Sequence, residues 1–127
     1  MGVKETIREI FPEVDLIKNK ELQDKVLNTW ALAIERGGWK AEDIRRIPFT
    51  LLKPVNITFD QHVRSVTRIC LRVAETFDEI YKGELKLNYD ILLAGALLHD
   101  VGKLLEIEFK DGKFQKSKSG KDRKSVV

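Results

Sequence analysis

The stretch Ile91-Leu92-Leu93-Ala94-Gly95-Ala96-Leu97-Leu98 runs straight into His99-Asp100-Val101-Gly102-Lys103, and the change of character at residue 99 decides how the rest of the chain reads. Eight residues without a polar side chain, wound as a helix, present hydrocarbon on every side. Such a helix needs neighbours all round, which places it at the centre of a helical bundle. It begins near Asn88 and gives way at His99 to a sharply polar segment.

The neighbours it needs are legible upstream. A short helix is expected from Val3 to Phe11, ended by Pro12, and a stronger one from Lys20 to Arg36. In the second, Leu22, Val26, Trp30, Ala33 and Ile34 recur at three and four, and Gly37-Gly38 supply the stop. Ala41 to Arg46 forms another short helix before Pro48, and Pro54 keeps the stretch 48–57 irregular. Thr58-Phe59-Asp60-Gln61 has the form of a capping box, with Asp60 adding charge that the helix dipole favours. The helix it opens carries Phe59, Val63, Val66, Ile69, Cys70, Val73, Phe77 and Ile80 on one stripe and ends near Gly83. Downstream, Ile107-Glu108-Phe109 and Phe114 flank Lys110-Asp111-Gly112-Lys113, where a short hairpin and an extended loop both fit. The fold class is all-α.

With 127 residues, 43% hydrophobic and 34% charged, the chain has the material of one globular domain. No apolar window reaches transmembrane length, and Lys4, Glu5, Arg8 and Glu9 break up the N-terminus where a signal peptide would be apolar. One cysteine, Cys70, excludes an internal disulfide and suits a reducing compartment, so the expected location is cytoplasmic. The isoelectric point near 9.0 suggests a nucleic-acid partner until the charges are located. Six basic residues and one acid fall in 113–127, a net of +5, so residues 1–112 carry −2 of the overall +3. The expected organisation is therefore a helical domain over 1–112 and a basic polar tail, or the start of a further segment, over 113–127.

Chemistry concentrates on few residues. The chain has two histidines, His62 beside the apolar stripe of the third long helix and His99 at the end of the apolar one, with Asp100 adjacent. A buried carboxylate needs a cation, several N–H donors or a metal to offset its desolvation, and a divalent metal accounts for all three residues together. Each also has a plainer explanation: a hydrogen-bonded core histidine, a C-terminal histidine favoured by the helix dipole, a left-handed glycine at Gly102, a solvated Lys103. Spacing alone does not decide between them. Cys70 reads as a small core residue, and Trp30 and Trp39 as core or surface packing rather than a base pocket.

In context, Leu97-Leu98-His99-Asp100-Val101-Gly102-Lys103 resembles the signature of the HD superfamily of metal-dependent phosphohydrolases, an all-helical family named for an adjacent His-Asp pair at the end of a buried helix. Phe59-Asp60-Gln61-His62-Val63-Arg64-Ser65-Val66 is similar to the context of the family's earlier histidine. The resemblance covers roughly residues 58–110. It implies metal ligation by His62, His99 and Asp100, with a divalent ion that the donor set leaves open among iron, manganese, nickel, cobalt and magnesium. It further implies a metal-activated water attacking a phosphate ester, nucleotides being the expected substrate class. Asp100 would also orient that water, Lys103 would hold a phosphate oxygen, and Arg64 and Arg68 are weaker candidates for the same task, with a solvent-facing helix flank as the alternative.

The family's fourth ligand, an aspartate on a later helix, has no good match: Asp111 and Asp122 both fall in polar turn or tail. The two or three helices that complete the family's fold are likewise not in view, so the chain reads as the N-terminal part of a longer protein, with Ser125-Val126-Val127 opening another element. No histidine follows His99, so a dinuclear centre would need ligands beyond Val127. Rival readings are a non-catalytic ligand-binding module on the same scaffold, and a nucleic-acid-processing subunit held by the basic tail. A homodimer would meet through Trp39 and the stretch 48–57.

Overall fold

Trp30 organises the core. Its indole, fully buried, lies against Phe11 and Phe59 with ring centroids 4.7 and 5.6 Å away. A computed structural model describes residues 2–52 and 55–122, the side chains of Ser119 and Asp122 excepted. Pro54 and Ser125-Val126-Val127 lie outside the described residues.

Helix α1 spans Val3–Ile10, and a 3₁₀ turn follows over Pro12–Leu16, where Pro12 stops the helix. Helix α2, Lys20–Gly37, starts where the Asn19 side chain accepts from the Leu22 N–H and ends at Gly38, whose φ of 74° only glycine adopts freely. It buries Val26, Leu27, Trp30 and Ile34. Ala41–Arg45 forms a second 3₁₀ turn that brings Ile44 and Ile47 inside. Helix α3, Phe59–Tyr81, opens with the Gln61 side chain accepting from the Thr58 N–H at 3.1 Å, and its end is marked by positive φ at Lys82 and Gly83. Helix α4, Tyr89–Leu98, is capped by Asn88. A short helix α5, Lys103–Glu106, leads into strands β1, Ile107–Lys110, and β2, Lys113–Lys116, and then into helix α6, Lys118–Asp122. The architecture is helical, as expected from the sequence.

The Asp-Gly pair resolves as a hairpin. Asp111 and Gly112 both take positive φ, 55° and 78°, as a two-residue turn between right-twisted strands requires, and Phe109 pairs with Phe114. The hairpin straddles the expected boundary at 112/113, so the first residues of the basic segment fold back onto the body: Ser117 N–H donates to the Glu106 carbonyl.

Two sequence expectations need correction. Helix α4 is not enclosed: α2, α3 and the 12–16 turn cover Leu93, Ala94, Ala96 and Leu97, but Ile91 is 65% exposed and Gly95 faces solvent. The α3 stripe is likewise buried only in part. Phe59, Val63, Thr67 and Ala74 are inside, whereas Ile69, Val73, Phe77 and Ile80 are exposed. The reason is length: α3 runs about 34 Å and its partner α4 only about 15 Å, too short to cover the whole stripe.

Candidate metal centre

His62 is the fourth residue of α3, its backbone N–H bonded to the Thr58 carbonyl, so the capping residues that start the helix also fix where this imidazole emerges. His99 is the residue immediately after α4, and Asp100 begins the tight turn that joins α4 to α5. That turn is held by Val101 N–H on the Leu98 carbonyl and Lys103 N–H on the Asp100 carbonyl. Gly102 is right-handed in it, with φ −65°, so the left-handed role open to this glycine in the sequence does not apply.

The three side chains converge. Asp100 Oδ2 lies 3.0 Å from His62 Nε2 and 3.2 Å from His99 Nε2, and the two imidazole centroids are 5.4 Å apart. All three ligand atoms fall within 4.8 Å of one another, the one such group among the described residues. The cluster is not in the core, as the sequence suggested, but in a partly exposed position where the start of α3 meets the end of α4.

His99 Nδ1 lies 2.6 Å from the Ala96 carbonyl. A carbonyl only accepts, so Nδ1 carries the hydrogen, and in the neutral ring Nε2 presents a bare lone pair. That lone pair points at a carboxylate oxygen 3.2 Å away, two acceptors face to face. A proton or a metal cation between them relieves the repulsion. Ligands about 2.0–2.1 Å from a common ion stand roughly 3 Å apart, which is the spacing of each imidazole nitrogen from Asp100 Oδ2 here. Two imidazoles and a carboxylate therefore fit a divalent transition metal and could hold one.

The remaining candidates bond to other partners. Lys103 Nζ donates to the Phe49 carbonyl at 3.2 Å and lines a cavity of about 240 Å³ with Thr50, Leu51, Leu52, Ile107 and Lys116. Arg64 and Arg68 both reach Glu13, whose side chain is 1% exposed: Arg64 through Nε at 3.0 Å and a terminal nitrogen at 2.9 Å, Arg68 through Nε at 2.8 Å. Burial pushes the Glu13 carboxyl up, but these hydrogen bonds outweigh it and hold the group below its ordinary value. Asp111 sits in the exposed hairpin turn, and the Asp122 side chain lies outside the described residues.

Both tryptophans support the site's frame. Trp30 Nε1 donates to the Leu97 carbonyl at 3.1 Å and Trp39 Nε1 to the Leu104 carbonyl at 2.8 Å, satisfying carbonyls on either side of the His-Asp turn. Trp39 also stacks on Phe114. Asp90 accepts from the Lys18 and Asn19 N–H groups and so ties the start of α4 to the start of α2. None of these partners carried a sequence signal, because each bond spans more than sixty residues.

A family model described as HD domain matches residues 59–124, just over half of the chain. A curated relative, the dihydroneopterin 2′,3′-cyclic phosphate phosphodiesterase of Methanocaldococcus jannaschii, is 44% identical over 55 residues, which are 42% of this chain and 21% of the relative. The chain thus spans about a fifth of that relative's length. No solved structure matches the chain.

Proposed function

This chain belongs to the HD-domain family, and on that footing we propose that it is a metal-dependent hydrolase of a phosphate ester. The observation that carries the reading is the convergence of His62 Nε2, His99 Nε2 and Asp100 Oδ2 within 4.8 Å of one another, with the His99 lone pair facing the carboxylate. A divalent ion held there would polarise a phosphoryl oxygen and lower the pKa of a bound water. His62 and His99 would hold the ion, His99 with its tautomer already set by Ala96. Asp100, with a second carboxylate oxygen to spare, would orient the attacking water. Lys103, three residues on, would take a phosphate oxygen as a point charge. Arg64 and Arg68, bonded to Glu13, hold α3 and are the weaker candidates for a phosphate oxygen.

The relative's name favours a phosphodiester, and a nucleotide or a cyclic phosphate of a nucleoside-like compound is the substrate class we propose. Among the described residues no helix is long and apolar enough to cross a membrane, and the single cysteine suits the cytoplasm. The test is to supply the purified chain with manganese, iron, cobalt, nickel or magnesium and assay bis(p-nitrophenyl) phosphate beside nucleoside 2′,3′-cyclic phosphates. We expect metal-dependent turnover that His99→Ala and Asp100→Asn abolish. Absence of stoichiometric metal in every case, or unchanged activity in both variants, would overturn the reading, and metal binding without turnover would identify a binding module.

A further inference from the structure

Phe49 lies ten residues before the part of the chain that the family model matches. Its ring stacks on the His62 imidazole with centroids 5.0 Å apart and planes 26° from parallel, and its carbonyl accepts from Lys103 Nζ. One residue thus touches the first candidate ligand with its side chain and the candidate phosphate-binding lysine with its backbone.

The contact is braced from both sides. Phe49 N–H donates to the Ile57 carbonyl at 3.1 Å, Phe59 N–H donates to the Ile47 carbonyl at 2.7 Å, and Pro48 bridges Thr58. Residues 47–49 are therefore laced to 57–59, the segment that runs directly into α3 and His62. A rigid frame of this kind sets the plane of the phenyl ring, and the ring in turn limits rotation of the imidazole about its side-chain bonds. The stack also has a preferred sign. An imidazole that donates its Nε2 lone pair to a cation becomes electron-poor, and the negative face of a phenyl ring attracts an electron-poor ring more strongly than a neutral one.

We infer that Phe49 is a positioning residue that orients His62 for metal binding and strengthens the ligated form. The inference rests on the metal reading above. It gives Phe49 a role at the site in addition to the expectation that the stretch 48–57 meets a second copy.

The experiment measures Co²⁺ affinity and the visible absorption of the Co²⁺ form for the full chain and for Phe49→Leu, Phe49→Ile and Phe49→Tyr. Leucine and isoleucine keep apolar bulk but remove the ring, and isoleucine offers a second shape if the leucine variant does not fold. The ringless variants should bind Co²⁺ about tenfold more weakly, the order of effect for partners that orient a ligand, with a shifted absorption band. The tyrosine variant should restore both, while metal-free stability need not follow the same order. Wild-type affinity and an unshifted band in a folded ringless variant would overturn the role of Phe49 and leave the metal reading standing. A wild-type chain that binds no metal would overturn both.

Discussion

At Glu13 a carboxylate is 1% exposed in a body where most charges face water, and two arginines from α3 make that burial tolerable. Because its folded pKa is depressed, its contribution is present above the unfolded value of about 4.3 and is lost as pH falls through the folded pKa. Glu13→Gln should lower stability at pH 7 by about 1.5–3 kcal/mol in urea unfolding and flatten the acid limb of the stability profile. Arg68→Ala should cost under about 1 kcal/mol, since Arg68 is 59% exposed and Arg64 still grips both carboxylate oxygens. At basic pH the relevant residue is Tyr89, whose hydroxyl donates to Asp78. That bond, with some burial and nearby negative charge, pushes its pKa up to about 12. A raised tyrosine pKa gives a contribution present below pH 10 and lost as pH rises toward about 12. Absorbance titration should show one late-ionising tyrosine that Tyr89→Phe removes. Neither pairing was legible in the sequence: Arg64 and Arg68 allowed phosphate or solvent as partners, and only folding brings Glu13 to them.

Within the elements, α4 shows how far pattern reading carries. Its existence, its Asn88 cap and its end at His99 follow from eight apolar residues between polar ones. Which of those residues matter does not, since a helix apolar on every side has no periodicity to read. Leu93 is 1% exposed and Ile91 65%. Leu93→Ala should therefore cost about 2–5 kcal/mol and Ile91→Ala within about 0.5 kcal/mol, measured by denaturant unfolding. The same distinction runs through α3, where Val63 and Ile69 look equivalent in the stripe but only Val63 reaches the core. The capping sequence at Thr58 was the better guide, because a cap is a local device and depends on nothing remote.

Across the whole molecule, metal and fold should be linked. His62 comes from the start of α3 and His99-Asp100 from just past the end of α4, so an ion held between them favours the packed arrangement over the unfolded chain. At a hundredfold excess over Kd the gain is about 2.7 kcal/mol. Thermal unfolding should shift upward with added metal, return on chelation, and stay put in His62→Ala. Ile69, Val73 and Phe77, exposed on α3, line a cavity of about 240 Å³ together with the half-buried Leu92 of α4.

The amino-acid sequence by itself determined the local facts of this protein: the helix starts and stops, a turn at Asp111-Gly112, and His62, His99 and Asp100 as the candidate metal ligands. Each depends on short-range rules of capping, backbone freedom and side-chain type. Tertiary structure alone decided that one oxygen of Asp100 meets both imidazoles, that Glu13 claims Arg64 and Arg68, that Trp30 and Trp39 hold the carbonyls around the His-Asp turn, and that Phe49 covers His62. Those contacts join residues far apart in the chain, and their partners are selected by the packing of whole helices, which no local pattern encodes.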